Sequence, residues 1–300
     1  MIIKCSYISS SLISIIWCLL GFTHAQVKVA VFHPLIIDWV EQVGGEHVTV
    51  ISMLGGAHDL HKFEPNAKAI QQLEKTQLWV FSGKGLEHYR ADLEQQLRPN
   101  QVSLELGRLV PTRRNNSIER LNACCDIHGN VVVDPHWWHR VDYVERAIKV
   151  LSKNLQELDS ANKDSYKANE KAYLKKLKEL EKWVKLEIAK IPKKQRYLAT
   201  DHAAFGYFCD AYGFKPLFLS GMTSENHIAS KHLLEHINIL KKYQIKAVFS
   251  EQLSNTKMLE QIAQEIGTKL GSELIADGDT DTYEGMMRSN VNAIVQGLAG

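Results

Sequence analysis

Three histidines lie far apart in this chain, each in a setting that suits metal ligation. His61 stands in Asp59-Leu60-His61-Lys62-Phe63-Glu64-Pro65, His136 in Asp134-Pro135-His136-Trp137-Trp138, and His202 in Thr200-Asp201-His202-Ala203-Ala204-Phe205-Gly206. Each follows an apolar run, so each falls on a loop. Near the end, Ala276 to Tyr283 offers Asp277, Asp279 and Asp281. Imidazole nitrogens joined by one carboxylate form the ligand set of a first-row divalent metal, zinc before others. The same loops hold rivals: His58 beside His61, and Asp279 and Asp281 beside Asp277. Glu251 ends the run Ala247 to Ser250, where it can accept an N–H from a ligand imidazole or begin a helix. Trp137 and Trp138 are expected to pack near the site and limit water access. His33, His47, His88, His139, His227, His232 and His236 read as surface or hydrogen-bonded residues, and His128 is set apart by its neighbours Cys124 and Cys125. A secreted zinc hydrolase would need an open coordination position and a general base. Four protein ligands would close the site, and no His-Glu-x-x-His helix is present.

The elements that must position these residues alternate between strand and helix. Val27 to Phe32 reads as a buried parallel strand, Leu35 to Val43 as a helix, Val48 to Met53 and Leu78 to Phe81 as further strands, and Ala67 to Leu73 as a helix. Val141 to Leu158 is amphipathic. Asp164 to Lys190 follows as a long helix, with apolar residues at Tyr166, Tyr173, Leu177, Leu180, Val184 and Ile188, and Pro192 marks its end. The alternation then resumes. Tyr197 to Thr200, Pro216 to Leu219, Ala247 to Ser250 and Leu274 to Ala276 read as strands; Phe205 to Tyr212, Leu233 to Tyr243 and Leu259 to Ile266 read as helices. The fold class is α/β: two lobes, each a mainly parallel sheet flanked by helices, joined by one long helix. The division is 26–162, the linking helix 163–191, and 192–300. His61 and His136 belong to the first lobe, His202 and Asp277 to the second, so a metal held by all four sits in the interlobe cleft. Gly55 to Lys62 and Asp277 to Thr282, rich in glycine and acidic residues, read as mobile loops.

Composition bounds the function further. The 36 Lys and Arg nearly balance the 34 Asp and Glu, which implies no nucleic-acid partner. Lys4 is the one charged residue before Lys28, Leu12 to Phe22 is almost wholly apolar, and Thr23-His24-Ala25 ends in small residues. Residues 1–25 read as a secretory signal peptide cut after Ala25. The residue before Cys18 is the bulky Trp17, which argues against lipidation there. Cleavage leaves Cys124, Cys125 and Cys209. A bridge between adjacent cysteines is strained, and the sequence leaves any pairing with Cys209 open.

The motifs together resemble the solute-binding proteins of zinc and manganese ABC transporters. The resemblance is carried by His-x-Phe-Glu-Pro at His61, Asp-Pro-His-x-Trp at Asp134, His-x-Ala-Phe-Gly-Tyr-Phe at His202 and Phe-Ser-Glu at Glu251. Gly83-Lys84-Gly85-Leu86-Glu87, Asn169 to Tyr173 and Tyr283 to Met287 are similar too, and the resemblance runs in order through nearly all of the mature chain. It implies His61, His136, His202 and Asp277 as ligands, ahead of His58, Asp279 and Asp281. It also implies a non-enzymatic periplasmic receptor, monomeric, that delivers Zn(II) to a membrane permease, with a periplasmic metallochaperone as a further partner. The family's third ligand is His or Glu. His202 points to zinc, with a manganese or mixed receptor as the alternative, and a metal-dependent adhesin or secreted zinc hydrolase as the alternative of another class. Two departures stand out. Leu60 replaces the usual proline before the first ligand, and Thr112 to Asn130 holds His128 with Cys124 and Cys125 where many zinc receptors carry a His-rich loop.

Overall fold

Val27-Lys28-Val29-Ala30-Val31 buries every side chain but Lys28, as a central strand covered by helices on both faces requires. It forms β1 (Val27–Val31) of a computed structural model that describes residues 26–55, 59–114, 133–219, 230–251, 256–278 and 280–299. β2 (Val48–Ser52) pairs with one edge of β1, β3 (Leu78–Phe81) with the other, and β4 (Val102–Glu105) with β3. All pairings are parallel, with Val27 opposite Val48, Val29 opposite Leu78, and Leu78 opposite Val102. The helices of this lobe are α1 (Pro34–Gly44), α2 (Ala67–Leu73), α3 (Arg90–Glu94) and α4 (Val141–Leu158). His33 Nδ1 caps α1 by accepting the Leu35 N–H, Pro34 opens the helix with its φ already set, and Gly45 closes it at φ 54°.

α5 (Lys163–Ala189) runs unbroken for 27 residues and buries Tyr166, Tyr173, Leu177, Leu180, Val184 and Ile188, the six positions its periodicity marks. Beyond it, β5 (Tyr197–Thr200), α6 (Gly206–Tyr212), β6 (Lys215–Phe218), α7 (Ser230–Lys242), β7 (Ala247–Phe249), α8 (Thr256–Ile266) and β8 (Lys269–Leu270) build the second lobe. Its strand order, β6-β5-β7-β8, repeats the β2-β1-β3-β4 order of the first, again all parallel. α9 (Tyr283–Leu298) then returns across the molecule and packs on α5 and α1. Tyr283, Met286, Met287 and Val291 share one core with Trp39 of α1 and Leu177 of α5. Asp38 of α1 ties the three helices together: its Oδ2 accepts the Tyr173 hydroxyl at 3.0 Å and the Tyr283 N–H at 3.0 Å.

The structure departs from the sequence reading at four elements. The last strand of the second sheet is Lys269–Leu270; Leu274 makes an isolated parallel bridge to Glu251 instead of starting a strand at 274–276. β4 and α3 escape a periodicity reading because β4 is a half-buried edge strand and α3 is barely more than one turn. α9 escapes it because Gly285, Asn290 and Gly297 interrupt its apolar pattern. The expected signal peptide, His58, Cys124, Cys125, His128, Asp279 and most of the 112–130 loop lie outside the described residues, while Cys209 is buried. Among the described residues no helix is long and apolar enough to cross a membrane.

Candidate metal centre

The loops that leave the carboxyl ends of the parallel strands converge between the lobes, as ligand-bearing loops do in open α/β sheets. His61 lies on the turn after β2, and its backbone N–H donates to Asp59 Oδ1 at 3.0 Å. His136 opens the 3-10 turn Trp137–His139 before α4. His202 follows β5, and Asp277 lies between β8 and α9. One ligand atom from each of His61, His136, His202 and Asp277 falls within 4.8 Å of the others. The imidazole rings stand 5.1, 5.3 and 6.0 Å apart, centroid to centroid.

Hydrogen bonds decide which nitrogen of each ring faces inward. Asp134 Oδ1 accepts both the backbone N–H and the Nδ1–H of His136, at 2.9 and 3.0 Å, which leaves Nε2 bare toward the cluster. His136 Nε2 stands 3.2 Å from His61 Nε2 and 3.6 Å from Asp277 Oδ1. Zinc held at about 2.0–2.1 Å in a tetrahedron sets neighbouring nitrogens about 3.3 Å apart, so this pair is already at ligand spacing. On the other side, Glu251 contacts Nδ1 of His202 and accepts its backbone N–H at 3.2 Å. His202 Nε2 and Asp277 Oδ1 are buried and have no hydrogen-bond partner among the described residues. Orphaned polar atoms of this kind are rare in a protein interior, and a cation satisfies both at once.

The electrostatics divide the three rings. Burial pushes the imidazoles of His61 and His136 below their ordinary range, against a smaller upward pull from Asp277 on His61, so both are neutral and ready to coordinate. Burial works the same way on His202, but Glu251 reverses it and holds that imidazole above its ordinary value. Burial also raises the Asp134 carboxyl to about 7, against the His136 backbone N–H and the Arg113 guanidinium. Arg113 bridges Asp134, at 3.5 Å, to Asp210 of α6, at 2.9 Å. Gly206 admits this bridge, since a Cβ there would overlap the Arg113 and Asp134 side chains.

Several side chains around the cluster were not singled out by sequence. Asp134 was visible as part of a motif but without a role. His33 and His139 read as ordinary histidines; both are fully buried beside the cluster, and burial drives each imidazole down to about 3. His33 packs on Trp138 at 4.3 Å, and Trp138 packs on His136 at 5.2 Å. A periodicity or spacing argument carries no signal for such residues, because what makes them matter is a neighbour more than a hundred positions away.

The family model described as "Zinc-uptake complex component A periplasmic" matches residues 29–297. The manganese-binding lipoprotein MntA of Bacillus subtilis (strain 168) is 29% identical over 284 residues, covering 91% of this chain and 90% of its own. The zinc-binding protein TroA of Treponema pallidum (strain Nichols) is 26% identical over 302 residues, covering 94% of this chain and 95% of its own. Among solved structures, the Mn-bound periplasmic metal binding protein from candidatus liberibacter asiaticus has the same fold, with a TM-score of 0.78 at 20% identity over 90% of this chain and 99% of that one.

Proposed function

Because the chain belongs to the family of periplasmic A components of zinc-uptake complexes, we propose that it captures Zn(II) with His61, His136, His202 and Asp277 and delivers it to the permease of an ABC-type importer. At the family level it is a metal-binding solute receptor that works with a membrane permease, not an enzyme. The observation that carries the ligand assignment is the meeting of three imidazoles and one carboxylate within 4.8 Å, two of their polar atoms otherwise unsatisfied. Three nitrogens and one oxygen suit zinc, whereas manganese favours sites richer in carboxylate. Manganese is the second reading, favoured by the likeness to a manganese-binding relative. Four ligands from the protein leave no position for a metal-bound water, which weighs against a hydrolase. In this reading Glu251 orients His202, residues 1–25 direct export without lipidation, and 26–162 and 192–300 are the lobes on either side of the 163–191 helix.

The test is metal analysis of the mature protein purified without chelator, followed by zinc and manganese competition titrations. We expect one tight zinc per chain and loss of it in the His61→Ala, His136→Ala double variant. Absence of zinc binding at neutral pH, or binding unchanged in the double variant, overturns the assignment, and a clear preference for manganese replaces the zinc reading with the second one.

A further inference from the structure

We infer that Trp138 and His139, in the first lobe, act as a two-pronged positioning device for Asp277 in the second. The inference rests on the ligand assignment above and adds to it the residues that aim the carboxylate. The carbonyl of Ala276 accepts the Trp138 Nε1–H at 2.8 Å and the His139 Nε2–H at 2.9 Å. These two bonds occupy both lone pairs of that oxygen and fix the peptide unit that leads into Asp277. On the other side of Ala276, Asn290 of α9 holds both polar groups of Ile275, accepting its N–H and donating to its carbonyl, each at 2.8 Å. Just past Asp277, Gly278 sits at φ 80°, and a Cβ there would come within 2.5 Å of Leu35 Cγ at the start of α1. The backbone around Asp277 is therefore pinned from both directions, twice by the first lobe.

The two prongs are themselves immobilised. Both are fully buried, His139 lies against Phe205 at 4.4 Å, and Trp138 is wedged between His33 and His136. A carbonyl can only accept, so Nε2 of His139 must carry its proton, and the ring has a fixed tautomer. The prongs also share the 3-10 turn that begins at His136. One rigid turn thus supplies a ligand and holds the loop bearing another, setting the 3.6 Å between His136 Nε2 and Asp277 Oδ1.

A double-mutant cycle on zinc affinity tests this. His139→Phe and Trp138→Phe, each keeping a buried ring, should each weaken zinc binding by about 10-fold, as loss of a group supporting a metal ligand does. His139→Gln, which keeps an N–H donor, should recover most of that loss. In the Asp277→Ala background neither Phe variant should weaken binding further. Equal losses in both backgrounds, or no loss in either, overturn the positioning role while leaving Asp277 a ligand. If Asp277→Ala itself leaves zinc affinity unchanged, the ligand assignment fails and the inference falls with it. Thermal melting without metal identifies any variant that fails to fold. Should His139→Phe be one, Trp138→Phe, which leaves one prong in place, carries the cycle alone.

Discussion

Glu251 meets His202 on the side away from the other imidazoles, and this one contact sets how the cluster exchanges protons with solvent. His61 and His136, pushed down by burial, have no proton to lose at neutral pH. His202 is held up by Glu251, so its Nε2 carries a proton that a metal must displace. Metal binding near pH 7 should therefore release about one proton, not three, and affinity should fall about tenfold for each unit of pH lost below the pKa of His202. Calorimetry in buffers of different ionisation enthalpy measures this release directly. A value near zero, or near three, is incompatible with the division of the rings. Glu251→Gln should reduce the release at pH 7, because burial then works on His202 against the smaller pulls of Asp277 and Asp201 alone.

At the scale of elements, α1, α5 and α9 meet on the carboxylate of Asp38. It is 6% exposed and accepts from a hydroxyl on α5 and from the first N–H of α9. Asp38→Ala would leave the Tyr173 hydroxyl and the Tyr283 N–H buried without an acceptor, which costs about 2–4 kcal/mol. Urea denaturation of the metal-free protein should show that loss, and a change below about 0.5 kcal/mol would mean the junction is held by its apolar contacts alone. The same change loosens the start of α9 and hence Tyr283, whose hydroxyl donates to the Trp138 carbonyl at 2.9 Å. Zinc affinity should drop with it, although Asp38 belongs to neither cluster nor loop.

Over the whole molecule, the lobes are joined by more than their linking helix. α5 contains neither glycine nor proline in its 27 residues, so it has no built-in hinge. α9, the last element of the second lobe, lies on α5 and α1, and Ala276 is bonded to the turn that carries His136. A wide closing motion would have to break these contacts together. We therefore expect small-angle scattering curves of the metal-free and zinc-loaded protein to nearly superimpose, and a compaction on the scale of a closing cleft would refute this. Zinc at 100 times its dissociation constant should still stabilise the fold by about 2.7 kcal/mol through mass action, and chelation should remove that gain.

Sequence alone carried the periodic and the chemical information. The valine-rich strands, the six buried positions of α5 and the alternation that makes two α/β lobes all rest on local rules of burial, so they are legible without coordinates. The histidines and Asp277 were legible as candidates because metal ligands must be a few residue types on loops after strands. What lay beyond reach were contacts between residues distant in the chain. Asp277 to Thr282, rich in glycine and aspartate, reads as a mobile loop, yet the residues that lead into it, Ile275 and Ala276, are held by Asn290, Trp138 and His139, and Leu35 stands against Gly278. Composition reports how freely a backbone can move in isolation, whereas the bonds that restrain it come from elements up to 245 positions away, as between Tyr283 and Asp38. The tautomers of the imidazoles and the proton that His202 keeps were decided in the same way, by which buried carboxylate or carbonyl the fold sets against each ring.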